Sequence, residues 1–130
     1  MTTESGITIV GLGPGDPALR TLATQRALDF ADAIVLRTRI HPGLDDLSRD
    51  PRVTDCDDLY QSAATFEDLY TAIAERVLER ASVASRVVFA VPGHPRFGEK
   101  SVRLLEVLAR EAGIPLIVAD AVSFLSLIHI

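Results

Sequence analysis

The sequence predicts an α/β domain: about five mainly parallel strands with helices on both faces. Three observations carry this. Short apolar runs without alternation, the pattern of strands covered on both faces, recur at residues 7–10, 33–36 and 87–91. Between them lie stretches with the 3.6-residue spacing of amphipathic helices. The first and third runs pass straight into loops rich in glycine and proline, at residues 11–17 and 92–98. Such alternation implies right-handed βαβ units, and sheets of this kind hold ligands at the carboxyl ends of their strands.

Taken in order, Ile7-Thr8-Ile9-Val10 reads as a strand that ends in Gly11-Leu12-Gly13-Pro14-Gly15-Asp16-Pro17. Thr21 then caps a helix whose apolar positions are Ala23, Ala27, Phe30 and Ala31. A second buried-type strand follows at Ala33-Ile34-Val35-Leu36, with Arg37-Thr38-Arg39 at its carboxyl end. Residues 41–58 are polar and acidic and read mostly as loop, with Arg52-Val53-Thr54 as a weak edge strand. Thr65 and Asp68 resemble a capping box ahead of a long helix carrying Phe66, Leu69, Tyr70, Ile73, Ala74, Val77, Leu78 and Ala81. The fourth strand, residues 87–91, precedes a helix from Glu99 that carries Val102, Leu105, Leu108, Ala109 and Ala112 and stops at Gly113. Residues 114–119 supply a fifth strand. The apolar segment after them lacks a terminator, so the sequence suggests a domain over 1–125, with 126–130 as a truncated tail or the start of a missing second domain.

Length and composition bound the function. At 130 residues the chain is one domain long. Hydrophobic residues at 48%, charged residues at 24% and a mean hydropathy of +0.24 exclude disorder and low complexity. Thirteen basic against eighteen acidic residues give a net charge of -5, which offers no footprint for nucleic acid or an anionic membrane. No apolar run approaches the roughly 20 residues that span a bilayer. The single cysteine, Cys56, sets up neither a disulfide nor a thiolate zinc site, and the first ten residues do not form a signal peptide; a reducing cytoplasm fits best.

Gly11-x-Gly13-x-Gly15 after a strand invites a dinucleotide reading, in which backbone N–H groups approach a pyrophosphate. The third glycine comes one residue early, and Asp16 would repel phosphate. What survives is an NADP version, with Arg37 on the 2′-phosphate. A P-loop is excluded, because neither glycine loop leads to Lys-Ser or Lys-Thr at the required spacing. The aspartates at 45, 46, 50, 55, 57 and 58 lack a ligand frame, so no metal is expected. Cys56 has no activating neighbour in sequence. His94 braces its loop or touches a ligand, and His41 before Pro42 reads as an exposed loop residue unless the cleft uses it.

Val10-Gly11-Leu12-Gly13-Pro14-Gly15-Asp16-Pro17 with Leu19 and Thr21, together with Val91-Pro92-Gly93-His94-Pro95 and Phe97-Gly98, resembles the paired signatures of the tetrapyrrole (corrin/porphyrin) methylases. These are S-adenosylmethionine-dependent enzymes. Arg37-Thr38 with His41-Pro42, Asp57-Asp58-Leu59-Tyr60, and Glu99-Lys100 resemble the bacterial subgroup in which this domain is fused to a MazG-type nucleotide pyrophosphohydrolase. The resemblance implies the N-terminal half of a two-domain methylase fold, one wall of a cleft that does not act by itself. It implies that Pro14, Pro92, Gly93, His94, Phe97, Val122 and Ser123 line the cofactor side. Asp16, Arg37, Thr38 and His41 would then face the cleft for a small-molecule or macrocyclic methyl acceptor. Two departures stand out: Arg37 occupies the place of an acidic proton acceptor, and His94 that of an acidic residue in the cofactor loop. They motivate an alternative, a non-catalytic module that senses a metabolite or organises a dimer. Glu75 and Glu79 do not form the paired E-x-x-E helices of a pyrophosphohydrolase site. The apolar residues 124–130 would seek a partner, so a homodimer is expected.

Overall fold

The computed structural model describes residues 6–16, 18, 20–41, 43–93 and 100–119. Five strands, β1 (Gly6–Gly11), β2 (Ala33–Leu36), β3 (Val53–Asp55), β4 (Arg86–Val91) and β5 (Leu116–Val118), form one sheet in the order β3-β2-β4-β1-β5. Every pairing is parallel. Side chains alternate across each strand and feed two apolar layers. Ile7, Ile9, Val35, Val87, Phe89 and Val91 meet Leu69, Ile73, Ala74 and Val77 of α4 (Phe66–Val83) and Val102, Leu105 and Ala109 of α5 (Lys100–Ala112). Val10, Ile34, Leu36, Val88 and Ala90 meet Leu28 of α1 (Leu22–Phe30) and Leu47 of α2 (Asp45–Ser48) on the opposite face. Helices therefore cover both faces, as the unbroken apolar strands require.

Caps define the helices where the sequence places them. Thr21 Oγ1 accepts from Thr24 N and Thr65 Oγ1 from Asp68 N, each at 3.1 Å. Helix α5 closes with Gly113 N donating to Arg110 O and Ile114 N to Ala109 O, a Schellman pair that returns Ile114 to the core. At the other edge, Gly6 has φ +144, and a Cβ there would lie 2.5 Å from the carbonyl oxygen of Pro115, which already accepts from Ile7 N.

Two sequence expectations are corrected. The buried face of α1 is Thr24, Leu28 and the cap Ala31, whereas Ala23 is exposed and Phe30 is 64% exposed. Thr24 counts as polar in a periodicity, yet its hydroxyl reaches the Gly11 carbonyl at 3.4 Å and turns that side of the helix inward. Residues 41–58 hold, besides the expected edge strand at β3, the helix α2 and the start of α3 (Asp57–Ser62), which the sequence reads as loop. Both short helices open on two aspartates that complement the positive helix end, and neither is long enough to show a period.

The chain leaves β1 across β4 toward β2, and leaves β4 across β1 toward β5. Neighbouring strands thus send their connections in opposite directions, which opens a crevice at the carboxyl ends of β1 and β4. The terminal segment 124–130, expected to be uncovered, lies outside the described residues, and no described helix is long and apolar enough to cross a membrane.

Candidate functional site

The two glycine loops meet at that crevice. Beyond the parallel strands, Leu12 N donates to Val91 O at 2.9 Å, and Gly13 and Gly93 then exchange a reciprocal pair, Gly13 N to Gly93 O at 3.2 Å and Gly93 N to Gly13 O at 3.0 Å. Both residues of this antiparallel bridge sit at positive φ, +74 and +67, which a side chain resists. A Cβ on Gly93 would find no heavy atom within 4 Å. The bridge thus sets a half-buried Gly93 with no side chain at the sheet's carboxyl edge, where a ligand can approach the backbone closely. Pro92 and Gly93 are half-buried there, and Pro14 is exposed on the turn after the bridge. Asp16 is exposed, its Oδ1 accepting from Ala18 N at 2.9 Å. His94, Phe97, Val122 and Ser123 lie outside the described residues.

The segment after β2 approaches the same edge. Arg37 N donates to Ala90 O, which ties the start of this segment to β4. Arg37 Nη1 donates to the Tyr60 hydroxyl at 2.6 Å, joining it to α3. Thr38 staples the loop: its hydroxyl donates to Asp57 Oδ1 at 2.6 Å and accepts from Ile40 N at 2.9 Å. His41 is half-buried rather than exposed, and its ring contacts the backbone of Gly13. Burial pushes its pKa below 6.5, the Gly13 contact pulls it back up, and the charges of Arg20 and Arg37 lower it further. The structure therefore gathers Gly13, Gly93 and His41 at one locus.

Sequence reading missed Arg20. Its side chain is only 2% exposed, Nη1 and Nη2 grip the Asp46 carboxylate at 2.9 and 3.2 Å, and Nη2 also donates to Gly43 O. The pairing spans 26 residues, so no local spacing announces it. Asp46 is held below the usual carboxylate range by that hydrogen bond. Three further acids of this region are also spent on arginines, Asp55 on Arg39, Asp50 on Arg52 and Asp58 on Arg76, while Asp57 accepts from the Thr38 hydroxyl and Arg39 N. Among the described residues no three His, Cys, Asp or Glu side chains converge as a metal cage. Cys56 is fully buried and its thiol is pushed up to about 11 by desolvation.

Residues 6–128 match the tetrapyrrole (corrin/porphyrin) methylases, and the chain belongs to this family. It is 38% identical over 120 residues to the uncharacterized protein YabN of Bacillus subtilis (strain 168), covering 92% of this chain and 24% of that protein. Uroporphyrinogen-III C-methyltransferase of Cyanidium caldarium is 30% identical over 116 residues, 88% of this chain and 45% of that enzyme. The chain thus spans less than half the length of these curated relatives. Uroporphyrin-III C-methyltransferase of Thermus thermophilus, solved with S-adenosylhomocysteine, superposes with a TM-score of 0.66 at 24% identity, over 91% of this chain and 45% of that one. That likeness establishes the shared five-stranded α/β fold. Family membership does not favour the NADP reading or the non-catalytic module.

Proposed function

We propose that this chain forms the cofactor-binding wall of an S-adenosylmethionine-dependent methyltransferase acting on a small or macrocyclic acceptor. The observation that carries the reading is the Gly13–Gly93 bridge, which presents bare backbone at the crevice between β1 and β4. Those residues suit the cofactor: its adenosine portion is uncharged and its sulfur is a sulfonium, so it calls for close backbone approach and a shaped cleft rather than a phosphate cradle. When bound, the cofactor supplies an electrophilic methyl group on a sulfonium.

The chain's own residues position and exclude water. Methyl transfer is an in-line displacement that gains most from orientation, so a rigid bridge between two strand ends serves it better than a mobile loop. Pro14, Pro92 and Gly93 would hold the cofactor, and Arg37, Thr38 and His41 would set the acceptor's wall, with Tyr60 fixing the Arg37 guanidinium. The resemblance at Arg37-Thr38, His41-Pro42 and Asp57-Asp58-Leu59-Tyr60 supports a finer reading, a protein fused to a MazG-type pyrophosphohydrolase, while the apolar residues 124–130 and the single cysteine support a homodimer in the cytoplasm. Calorimetric titration of S-adenosylhomocysteine into the full-length protein, with NADP as control, tests the proposal. Saturable binding of the nucleoside without NADP binding supports it; NADP binding alone, or neither, refutes it.

A further inference from the structure

Among the described residues, Arg20 Nε and His41 Nε2 are buried nitrogen atoms at this locus with no hydrogen-bond partner. Arg20 stands immediately before Thr21, the cap of α1, with its side chain only 2% exposed. Asp46 and Gly43 occupy the two terminal nitrogens of its guanidinium and leave the Nε–H without an acceptor. A buried donor left in this way is costly, and native proteins seldom keep one without a use. His41 lies within the electrostatic reach of Arg20 and Arg37 and against the Gly13 backbone. The first turn of α1 carries no acidic side chain, so its positive end is not compensated there, unlike the first turns of α2, α3 and α4.

We propose that Arg20 Nε and His41 Nε2, beside the first glycine loop, form a subsite for a carboxylate on the small molecule held in the crevice. The proposal rests on the methylase reading for the identity of that molecule, and the chemistry is the same whether the carboxylate belongs to the amino-acid part of the cofactor or to the acceptor. Arg20 supplies a donor already anchored by Asp46, so little side-chain freedom is lost on binding. An arriving carboxylate favours protonation of His41, which converts Nε2 to a second donor. The charged groups bearing on this histidine are Arg20 ahead of α1 and Arg37 after β2, with Asp46 of α2 acting through Arg20. Binding therefore takes up a proton and strengthens as pH falls from 8 toward 6.

The test uses the full-length protein, wild type and the variants Arg20→Met and His41→Gln, with three calorimetric probes. S-adenosylhomocysteine carries the amino-acid carboxylate, 5′-methylthioadenosine lacks it, and uroporphyrin III is a polycarboxylate acceptor analogue. A loss of about tenfold or more for S-adenosylhomocysteine, with 5′-methylthioadenosine unchanged, supports the subsite and assigns the carboxylate to the cofactor. The same loss for uroporphyrin alone supports it and assigns the carboxylate to the acceptor. Wild-type affinities in both variants, or equal losses for the two nucleosides, overturn it. Acetate titration followed on the His41 ring resonances separates this claim from the methylase reading. If no calorimetric probe binds, a saturable shift that Arg20→Met abolishes sinks that reading and keeps the subsite, whereas no shift sinks both.

Discussion

Replacing Gly93 and Gly6 by alanine separates the crevice from the scaffold, because both residues sit at positive φ but face different surroundings. At Gly93, φ is +67 and nothing lies within 4 Å of the added Cβ. The cost is the left-handed backbone alone, about 1–2 kcal/mol, offset by roughly 0.4–1 kcal/mol from the stiffer unfolded chain. Net destabilisation is then about 1 kcal/mol, a Tm loss of about 3–5 °C for a domain of this size. At Gly6 the Cβ lands 2.5 Å from the Pro115 carbonyl oxygen, and that atom cannot give way without breaking its bond from Ile7 N and parting β1 from the run-in to β5. Strain plus a lost edge hydrogen bond brings the cost to on the order of 3 kcal/mol, a Tm loss near 10 °C. Thermal melts by circular dichroism and calorimetry with S-adenosylhomocysteine read the two effects. Gly93→Ala should melt close to wild type yet bind the nucleoside at least about tenfold more weakly, since the methyl occupies the space the ligand approaches. A Gly93→Ala protein with wild-type affinity, or one that melts as early as Gly6→Ala, would refute the reasoning.

Further outcomes follow from the ion pairs and titrating groups. Arg52 donates to the Leu28 and Ala31 carbonyls at 2.9 and 2.8 Å, closing the end of α1, and also grips Asp50; Arg52→Ala should cost about 2 kcal/mol in denaturant melts, and a change below 0.5 kcal/mol contradicts this. Hydrogen bonds from Arg52 hold the Asp50 carboxyl down to about 2, so its stabilisation is complete above pH 4 and disappears as pH falls toward 2. Asp50→Asn should flatten that acid limb; an unchanged slope would count against the pair. His41 has a lowered pKa, so the folded state prefers the neutral ring: its contribution is full above pH 6.5 and is lost below it. In His41→Gln the stability slope between pH 5 and 6.5 should shrink. Cys56, buried and with its thiol near 11, should resist alkylation at pH 8 until the domain unfolds, as mass spectrometry against denaturant can follow.

Strands and long helices were readable because their signals are local. The unbroken apolar run Val87-Val88-Phe89-Ala90-Val91 specifies a strand covered on both faces, and it becomes the sheet's central strand. The periodicity from Leu69 to Val77 names the buried face of α4, although Phe66, at 75% exposure, marks where that stripe stops. The face of α1 was misread because a hydroxyl at Thr24 packs inward through the Gly11 carbonyl, a tertiary contact that no hydropathy pattern contains. The crevice was partly readable: Gly13 and Gly93 stand out as residues of glycine loops, but their mutual bridge depends on the strand order β4-β1, which emerges only from the fold. Arg20 and Asp46 lie beyond any spacing rule, since an ion pair between the loop ahead of α1 and the first turn of α2 is fixed by the sheet that brings them together.

Backbone amide shifts during titration of S-adenosylhomocysteine into the isotope-labelled full-length protein bear most directly on the claim that the joined glycine loops bind the cofactor. The amides of Gly13, Gly15 and Gly93 should move together, saturate with one dissociation constant, and stay still with NADP. Saturation with the largest shifts at the notch between α3 and α4, lined by Tyr60, Ala63 and Phe66, or no shifts at the glycines at all, would contradict it.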